Sequence, residues 1–99
     1  MLGGNQEELL KKMQQAVEES KAKLDKQIVA GEAGGGLIRI ELTGNRKFHN
    51  LEIRANLSDI EKDDLEDLLS VALSKALDEV EKINNSEMSS SAQNLMFGL

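Results

Sequence analysis

Apolar residues recur along the first quarter of the chain at helical spacing. Leu9, Leu10, Met13, Ala16, Val17, Leu24 and Ile28 fall within about 120° of a wheel turned by roughly 100° per residue. One stripe of this width predicts an amphipathic helix from Asn5 to about Ile28, about 30–35 Å long at about 1.5 Å per residue. Glu7–Lys11, Glu8–Lys12 and Glu19–Lys23 are acid-before-base pairs one turn apart, each adding about 0.2–0.5 kcal/mol to an isolated helix. The stretch QIVAGE (27–32) ends this pattern. Ile28 and Val29 are β-branched and Gly31 weakens a continuing helix. The helix therefore reads as ending near Gln27, with a short strand after it.

The period then changes from helical to alternating. In LIRIELT (37–43), Ile38, Ile40 and Leu42 point one way and Arg39, Glu41 and Thr43 the other, as in a half-buried strand. Gly44-Asn45 opens a turn, and Phe48–Ala55 alternates again with Leu51, Ile53 and Ala55 inward. Phe48 has the opposite parity from those three, which places it in the loop or beside a bulge. Leu57–Ile60 reads as a connector, and Ser58-x-x-Glu61 fits a capping box at a helix start. From there to about Ser86 the apolar positions are Leu65, Leu68, Leu69, Ala72, Leu73, Ala76, Leu77, Val80 and Ile83. They span about half of the helix circumference, which calls for two contacts, such as a sheet on one side and a helix on the other. Val71 falls outside the arc. NNSEMSSSAQ (84–93) is polar and Ser-rich and reads as a helix fraying into a mobile tail. The closing NLMFGL (94–99) is apolar again, and three readings stand for it: docking on the body, docking on a partner, or a loose end. The expected fold is α+β, with helix and strand mixed in one unit: a helix, a three-stranded antiparallel sheet and a second helix. It forms one domain over residues 1–86, with a tail over 87–99.

Composition narrows this picture. The 99 residues include two phenylalanines and no Trp or Tyr, so a monomer's core is thin and pairing with a second copy relieves the shortage. The absence of cysteine excludes a disulfide framework and a Cys-based zinc site. The N-terminus, MLGGNQEELLKK, has no apolar stretch of the kind a secretory signal uses, and no run reaches the roughly 20 apolar residues of a membrane span. The net charge of −6 is uneven. Asn5–Ile28 has five lysines and five acids, Val29–Asn56 four bases and three acids, and Leu57–Leu99 three lysines and ten acids. An acidic total runs against the basic surplus usual in nucleic-acid binders.

Four features were weighed as chemistry. Gly34-Gly35-Gly36 resembles a phosphate cradle, but such a loop needs Lys-Ser/Thr and a helix behind it. A strand follows instead, so the glycines read as a tight turn. His49, the sole histidine, has no nucleophile or second ligand at a useful spacing and reads as an ordinary strand residue. Asp63, Asp64, Glu66 and Asp67 suit the N-terminal end of a helix through its dipole. The four methionines read as gap-fillers. The sequence offers no catalytic, cofactor or metal site, so an enzyme is not expected.

The bases remain. Lys11, Lys12, Lys21, Lys23 and Lys26 lie on the first helix, and Lys12, Lys23 and Lys26 share about 60° of the wheel with Glu8 and Glu19. Arg46 and Lys47 stand in the turn beside His49, where a hairpin tip with two positives is able to reach phosphates. A mixed, solvated helix face and an ordinary charged turn are the competing explanations.

GEAGGGLIRI (31–40), followed by Gly44, resembles the signature of the YbaB/EbfC family of bacterial nucleoid-associated proteins, G-E-[SA]-G-x-G-L-[VI]-[KR]-[VI] with a glycine after the strand. Lys12-Met13-Gln14-Gln15 is similar to the family's first helix. Leu51-Glu52-Ile53 and Asp64–Leu69 resemble its third strand and the opening of its last helix, and Met96–Leu99 resembles the Phe-Gly ending of some members. The resemblance implies an intertwined α/β homodimer with projecting helical arms. It further implies binding to double-stranded DNA with broad or little sequence preference, a place in the cytoplasm on the nucleoid, a role in chromosome organisation and gene expression, and no cofactor. Met1-Leu2-Gly3-Gly4 departs from the family's usual start. The last helix keeps only Lys75 and Lys82 among Asp78, Glu79 and Glu81. The expected DNA contacts are Lys11, Lys12, Lys21, Lys23, Lys26, Arg46 and Lys47, few enough for modest affinity. The rival expectation is a dimeric adaptor of the same fold, binding a protein partner through the acidic second helix or the tail.

Overall fold

The computed structural model describes the backbone of residues 2–96 and the side chains of residues 6–93. Helix α1 (Leu2–Lys26) leads into β1 (Ile28–Ala33), β2 (Ile38–Thr43) and β3 (Phe48–Ile53); a 3₁₀ turn (Leu57–Asp59) then precedes helix α2 (Lys62–Met96). The strands form one antiparallel sheet in the order β1-β2-β3, as the alternation predicts. Ile28, which falls on the helical stripe of the wheel, instead opens β1 opposite Thr43.

Between β1 and β2 the chain reverses through Gly34, Gly35 and Gly36, with φ of 67°, 68° and 94°. Three successive left-handed residues are accessible at low cost only to glycine. The carboxylate of Glu32 stands near Gly36, an acidic neighbour unsuited to an anion cradle. Phe48 owes its parity to a bulge: Glu41 pairs with Asn50 and Leu42 with Phe48, leaving His49 as the extra residue. β3 stops at Ile53 rather than Ala55, although the Arg54 N–H still donates to the Leu37 carbonyl at 2.7 Å.

The core lies between α2 and the inner face of β1 and β2. Ala33, Ile38, Ile40 and Leu42 from the sheet meet Ala72, Ala76 and Val80 from α2, with Val29, Leu65, Leu68 and Leu69 at its margin. The approach is unusually close at Gly31. A Cβ there would overlap the Ala72 carbonyl oxygen and the Ala76 backbone nitrogen. Alanine at 72 and 76 and glycine at 31 are thus one steric device, small residues letting helix backbone rest on strand backbone.

This core does not close on every side. Leu51 and Ile53 share the inner face with Ile40 and Ile38, yet each is 40% exposed and Phe48 is 67% exposed. Val71, Leu73 and Leu77 of α2 are also exposed, as are Leu9, Leu10, Met13 and Val17 of α1. The molecule measures 70 × 18 × 16 Å with a radius of gyration of 19.3 Å, against about 13 Å for a compact domain of about 100 residues.

Helix α2 differs from expectation at both ends. Ser58 does not cap it. The Asn56 side chain accepts from the Ser58 N–H at 3.1 Å and caps the 3₁₀ turn instead. Ile60 then takes an extended conformation, and the Glu61 carbonyl accepts the Leu65 N–H at 3.0 Å as the helix begins. At the other end no fraying occurs near Ser86, and helix continues to Met96. No glycine or proline interrupts residues 62–96, and serine costs only about 0.5 kcal/mol per position relative to alanine. Contacts with α1 and with the β2–β3 loop accompany the polar stretch: Glu87, 16% exposed, pairs with Lys23 at 3.7 Å, and Asn84 donates to the Gly44 carbonyl at 3.2 Å. The apolar ending expected to dock, residues 94–99, lies outside the described side chains.

Candidate nucleic-acid interface

The β2–β3 hairpin and the C-terminal end of α1 are joined into one structure. The Gly44 N–H donates to the carbonyls of Leu24 and Gln27, each at 3.0 Å. One residue on, the Asn45 side-chain amide donates to the Lys21 carbonyl at 2.9 Å and to Asp25 Oδ1 at 2.6 Å. Lys21 and Asp25 are one helical turn apart, so both face the hairpin. Lys47 Nζ reaches the same Asp25 oxygen at 3.9 Å. The tip is therefore fixed to the helix at four points.

The loop conformation follows from its sequence. The Thr43 carbonyl accepts the Arg46 N–H at 3.0 Å, and the Thr43 N–H donates to the Lys47 carbonyl at 2.8 Å. Thr43 Oγ1 also accepts from the Asn45 and Lys47 N–H groups at 3.2 and 3.3 Å. This is a three-residue hairpin loop whose last residue must be left-handed, a position usually given to glycine. Here Arg46 holds it, with φ of 65°, at a conformational cost of about 1–2 kcal/mol. An exposed arginine held where glycine is preferred is the kind of local strain that concentrates at functional sites.

The expected site residues divide into groups. The Lys21 backbone is tied through Asn45 to the loop that carries Arg46 and Lys47 at the hairpin–helix junction, and Lys26 lies in the last turn of α1. Lys23 is drawn toward α2 by Glu87. Lys11 and Lys12 stand exposed on the part of α1 that precedes the junction, about 15 Å along the helix from Lys21. Lys12, Lys23 and Lys26 all lie on α1, with Lys23 and Lys26 in its last turn and Lys12 about 16 Å earlier along the axis. Among the described residues, Lys11, Lys12, Lys21, Lys26 and Arg46 have no carboxylate within 4.0 Å.

The other arginines differ. Arg39, on the outer sheet face, is held by Glu32 at 2.8 Å and Glu41 at 3.3 Å, and Arg54 by Glu52 at 2.9 Å. The hydrogen bond to Glu32 is the main influence holding Arg39 above its ordinary pKa; desolvation opposes it, and Glu41 adds to the rise. These cations are matched locally by acids. Sequence reasoning missed Asn45 and Asp25, the residues that position the tip. The Gly-Asn turn signal marks Asn45, but nothing local marks its partner 20 residues earlier. Among the described residues no cluster of His, Cys, Asp and Glu is suited to a metal ion, and no helix is long and apolar enough to cross a membrane.

A two-layer helix–sheet–helix protein with cations at a hairpin–helix junction defines the structural class. The sequence profile of the YbaB/EbfC DNA-binding family matches residues 3–95. A nucleoid-associated protein of Hahella chejuensis is 40% identical over 92 residues, covering 90% of this chain and 85% of the relative. A nucleoid-associated protein of Legionella pneumophila is 33% identical over 86 residues, covering 87% and 77%. The crystal structure of an uncharacterized Helicobacter pylori protein, HP0035, superposes with a TM-score of 0.67 at 23% identity, covering 79% of this chain and 92% of that one; it bears on the fold alone. The chain belongs to the YbaB/EbfC DNA-binding family.

Proposed function

We propose that this protein binds double-stranded DNA as a homodimer with little sequence preference, in the cytoplasm on the nucleoid, where it contributes to chromosome organisation and gene expression. Family membership and the names of the relatives support DNA as the partner. The observation that supports the reading is the junction: the Asn45 side chain ties the loop that carries Arg46 and Lys47 to the Lys21 carbonyl, and Arg46 holds a left-handed conformation in that loop. Lys26, and further along α1 Lys11, Lys12 and Lys23, extend the contact. Lysine and arginine side chains at such a surface meet phosphates, which fix position and carry no base identity. Weak specificity follows, and the reading involves no reaction and no cofactor.

A second copy is supported by the open core. Leu51 and Ile53 on β3 and Leu73 and Leu77 on α2 leave apolar surface on the same small domain, of the kind that marks a protein interface. Pairing also doubles the number of cations offered to one duplex. Sedimentation at micromolar concentration is expected to give a dimer, and a monomer would remove this part of the reading.

The direct test is DNA binding across a salt series. About four phosphate contacts lower affinity by roughly a hundredfold between about 50 and 200 mM salt. A flat response excludes the phosphate mechanism. Substituting Lys21, Arg46 and Lys47 together by Glu should leave a folded dimer that no longer shifts DNA. Absence of any shift by the parent protein at low salt, together with a co-purifying protein, would favour the adaptor reading, in which the exposed acids at the start of α2 form the working surface.

A further inference from the structure

We propose that Asp25 sets the strength of this DNA site: its carboxylate anchors the hairpin tip to α1 and at the same time withholds the charge of Lys47 from the phosphate backbone. The inference rests on the DNA-binding reading. Two groups meet at one oxygen. Asp25 Oδ1 accepts from the Asn45 amide at 2.6 Å and faces Lys47 Nζ at 3.9 Å, while the same Asn45 amide donates to the Lys21 carbonyl at 2.9 Å. The two tasks of Asp25 are separable. Anchoring Asn45 needs an acceptor oxygen, whereas engaging Lys47 needs a negative charge.

The pair is half-open to solvent, with side-chain exposures of 72% for Lys47 and 48% for Asp25. Such pairs are weak and are displaced by a stronger partner, so Asp25 does not block the site. It lowers the gain from each phosphate that approaches Lys47, because a fixed negative charge remains well inside the screening length of about 8 Å at physiological salt. Arg46, the neighbouring cation, has no carboxylate within 4.0 Å among the described residues. Lys23–Glu87 is a different case, since it joins α1 to α2 beyond the hairpin. Two adjacent loop cations therefore have unequal weight: Arg46 is free and Lys47 is muted.

The test uses the full chain, a labelled duplex of fixed sequence and a salt titration. Asp25→Asn keeps an acceptor oxygen for Asn45 and removes the charge. It should bind several-fold more tightly, and its log–log salt dependence should steepen by about 0.9 per phosphate newly engaged. Glu18→Gln is the control, an equal charge change at an α1 residue with no cation within 4.0 Å among the described residues. It should gain less and leave the slope unchanged. Adding Lys47→Gln to Asp25→Asn should abolish the gain. Equal affinity and slope for Asp25→Asn and Glu18→Gln would overturn the proposal. A parent protein that fails to bind duplex at low salt would instead overturn the DNA-binding reading on which it rests. Should Asp25→Asn fail to fold, Lys47→Gln and Arg46→Gln in the parent decide the matter. The proposal requires the smaller loss at Lys47, and an equal or larger loss there refutes it.

Discussion

The seam between α2 and β1 and the junction between α1 and the β2–β3 hairpin are both places where a helix meets the sheet, and they are built from opposite materials. At the seam, Gly31 faces Ala72 and Ala76, Ile38 and Val80 are fully buried, and backbone rests on backbone. At the junction Gly44 packs closely on the buried Leu24, but the hairpin tip beyond it is held by hydrogen bonds from Gly44 and Asn45, with exposed cations around them. The seam holds the fold through close packing, which tolerates little change in volume. The junction holds a conformation through directional bonds at the surface, where side chains remain available to a partner. On the DNA-binding reading proposed above, stability and DNA contact fall to different residues, and substitutions should separate them.

Gly31→Ala should produce the largest effect. The added methyl meets helix backbone that has no rotamer to change, so a loss of about 3 kcal/mol or more is expected in denaturant unfolding. A near-neutral result would mean that α2 does not lie as closely on β1 as described. Ile38→Ala probes the same seam by removing volume, and a loss of about 2–5 kcal/mol is expected. Neither change should alter the salt slope of DNA binding in protein that remains folded.

Arg46→Gly is the sharpest test of the separation. Relieving the left-handed arginine should raise stability by about 1 kcal/mol, while loss of its charge should weaken DNA binding and flatten the salt slope by about 0.9 per lost phosphate contact. Stability and affinity changing in the same direction would break the contrast between the two regions. The smallest effect belongs to Arg39→Gln. An exposed pair of this kind contributes about 0–1 kcal/mol, and DNA affinity should change far less than with Arg46→Gly, since Arg39 is already matched by Glu32 and Glu41. A large loss of affinity would move the interface to the outer face of the sheet.

The charge of −6 takes on a specific meaning in this light. Acids that flank Arg39 and Arg54 cancel those cations in place, and the acids of α2 lie mostly on its solvent side. What matters for a phosphate is the local set of unpaired cations within a screening length, about 8 Å at physiological salt, and at the junction that set remains positive apart from Asp25. Total charge governs long-range approach and hence association rate; the junction governs the contacts made after arrival.

Much of this was legible in the chain. The 3.6-residue and two-residue periods marked both helices and the second and third strands because each period directly encodes which face is covered, while β-branched Ile28 and Val29 beside Gly31 marked the first strand. Three glycines before an alternating run marked the β1–β2 turn, since consecutive left-handed residues exclude other side chains. The parity fault at Phe48 marked a bulge, although not which residue was extra. Other features were hidden because their causes lie far away along the chain. Ile28 left the helical stripe because Thr43 was available to pair with it. The Ser-rich stretch stayed helical because α1 supplied Lys23 as a partner for Glu87.

The amino-acid order by itself thus determined the elements, their faces and the family, all of which rest on neighbours within a few residues or on a contiguous motif. Only the tertiary structure decided which cations act together. A helical wheel compares positions on one helix, whereas Asn45, next to Arg46 and Lys47, binds the Lys21 carbonyl from 24 positions away along the chain. Hydrogen bonds between distant segments leave no periodic trace, and the site exists only once the hairpin has been set against the helix.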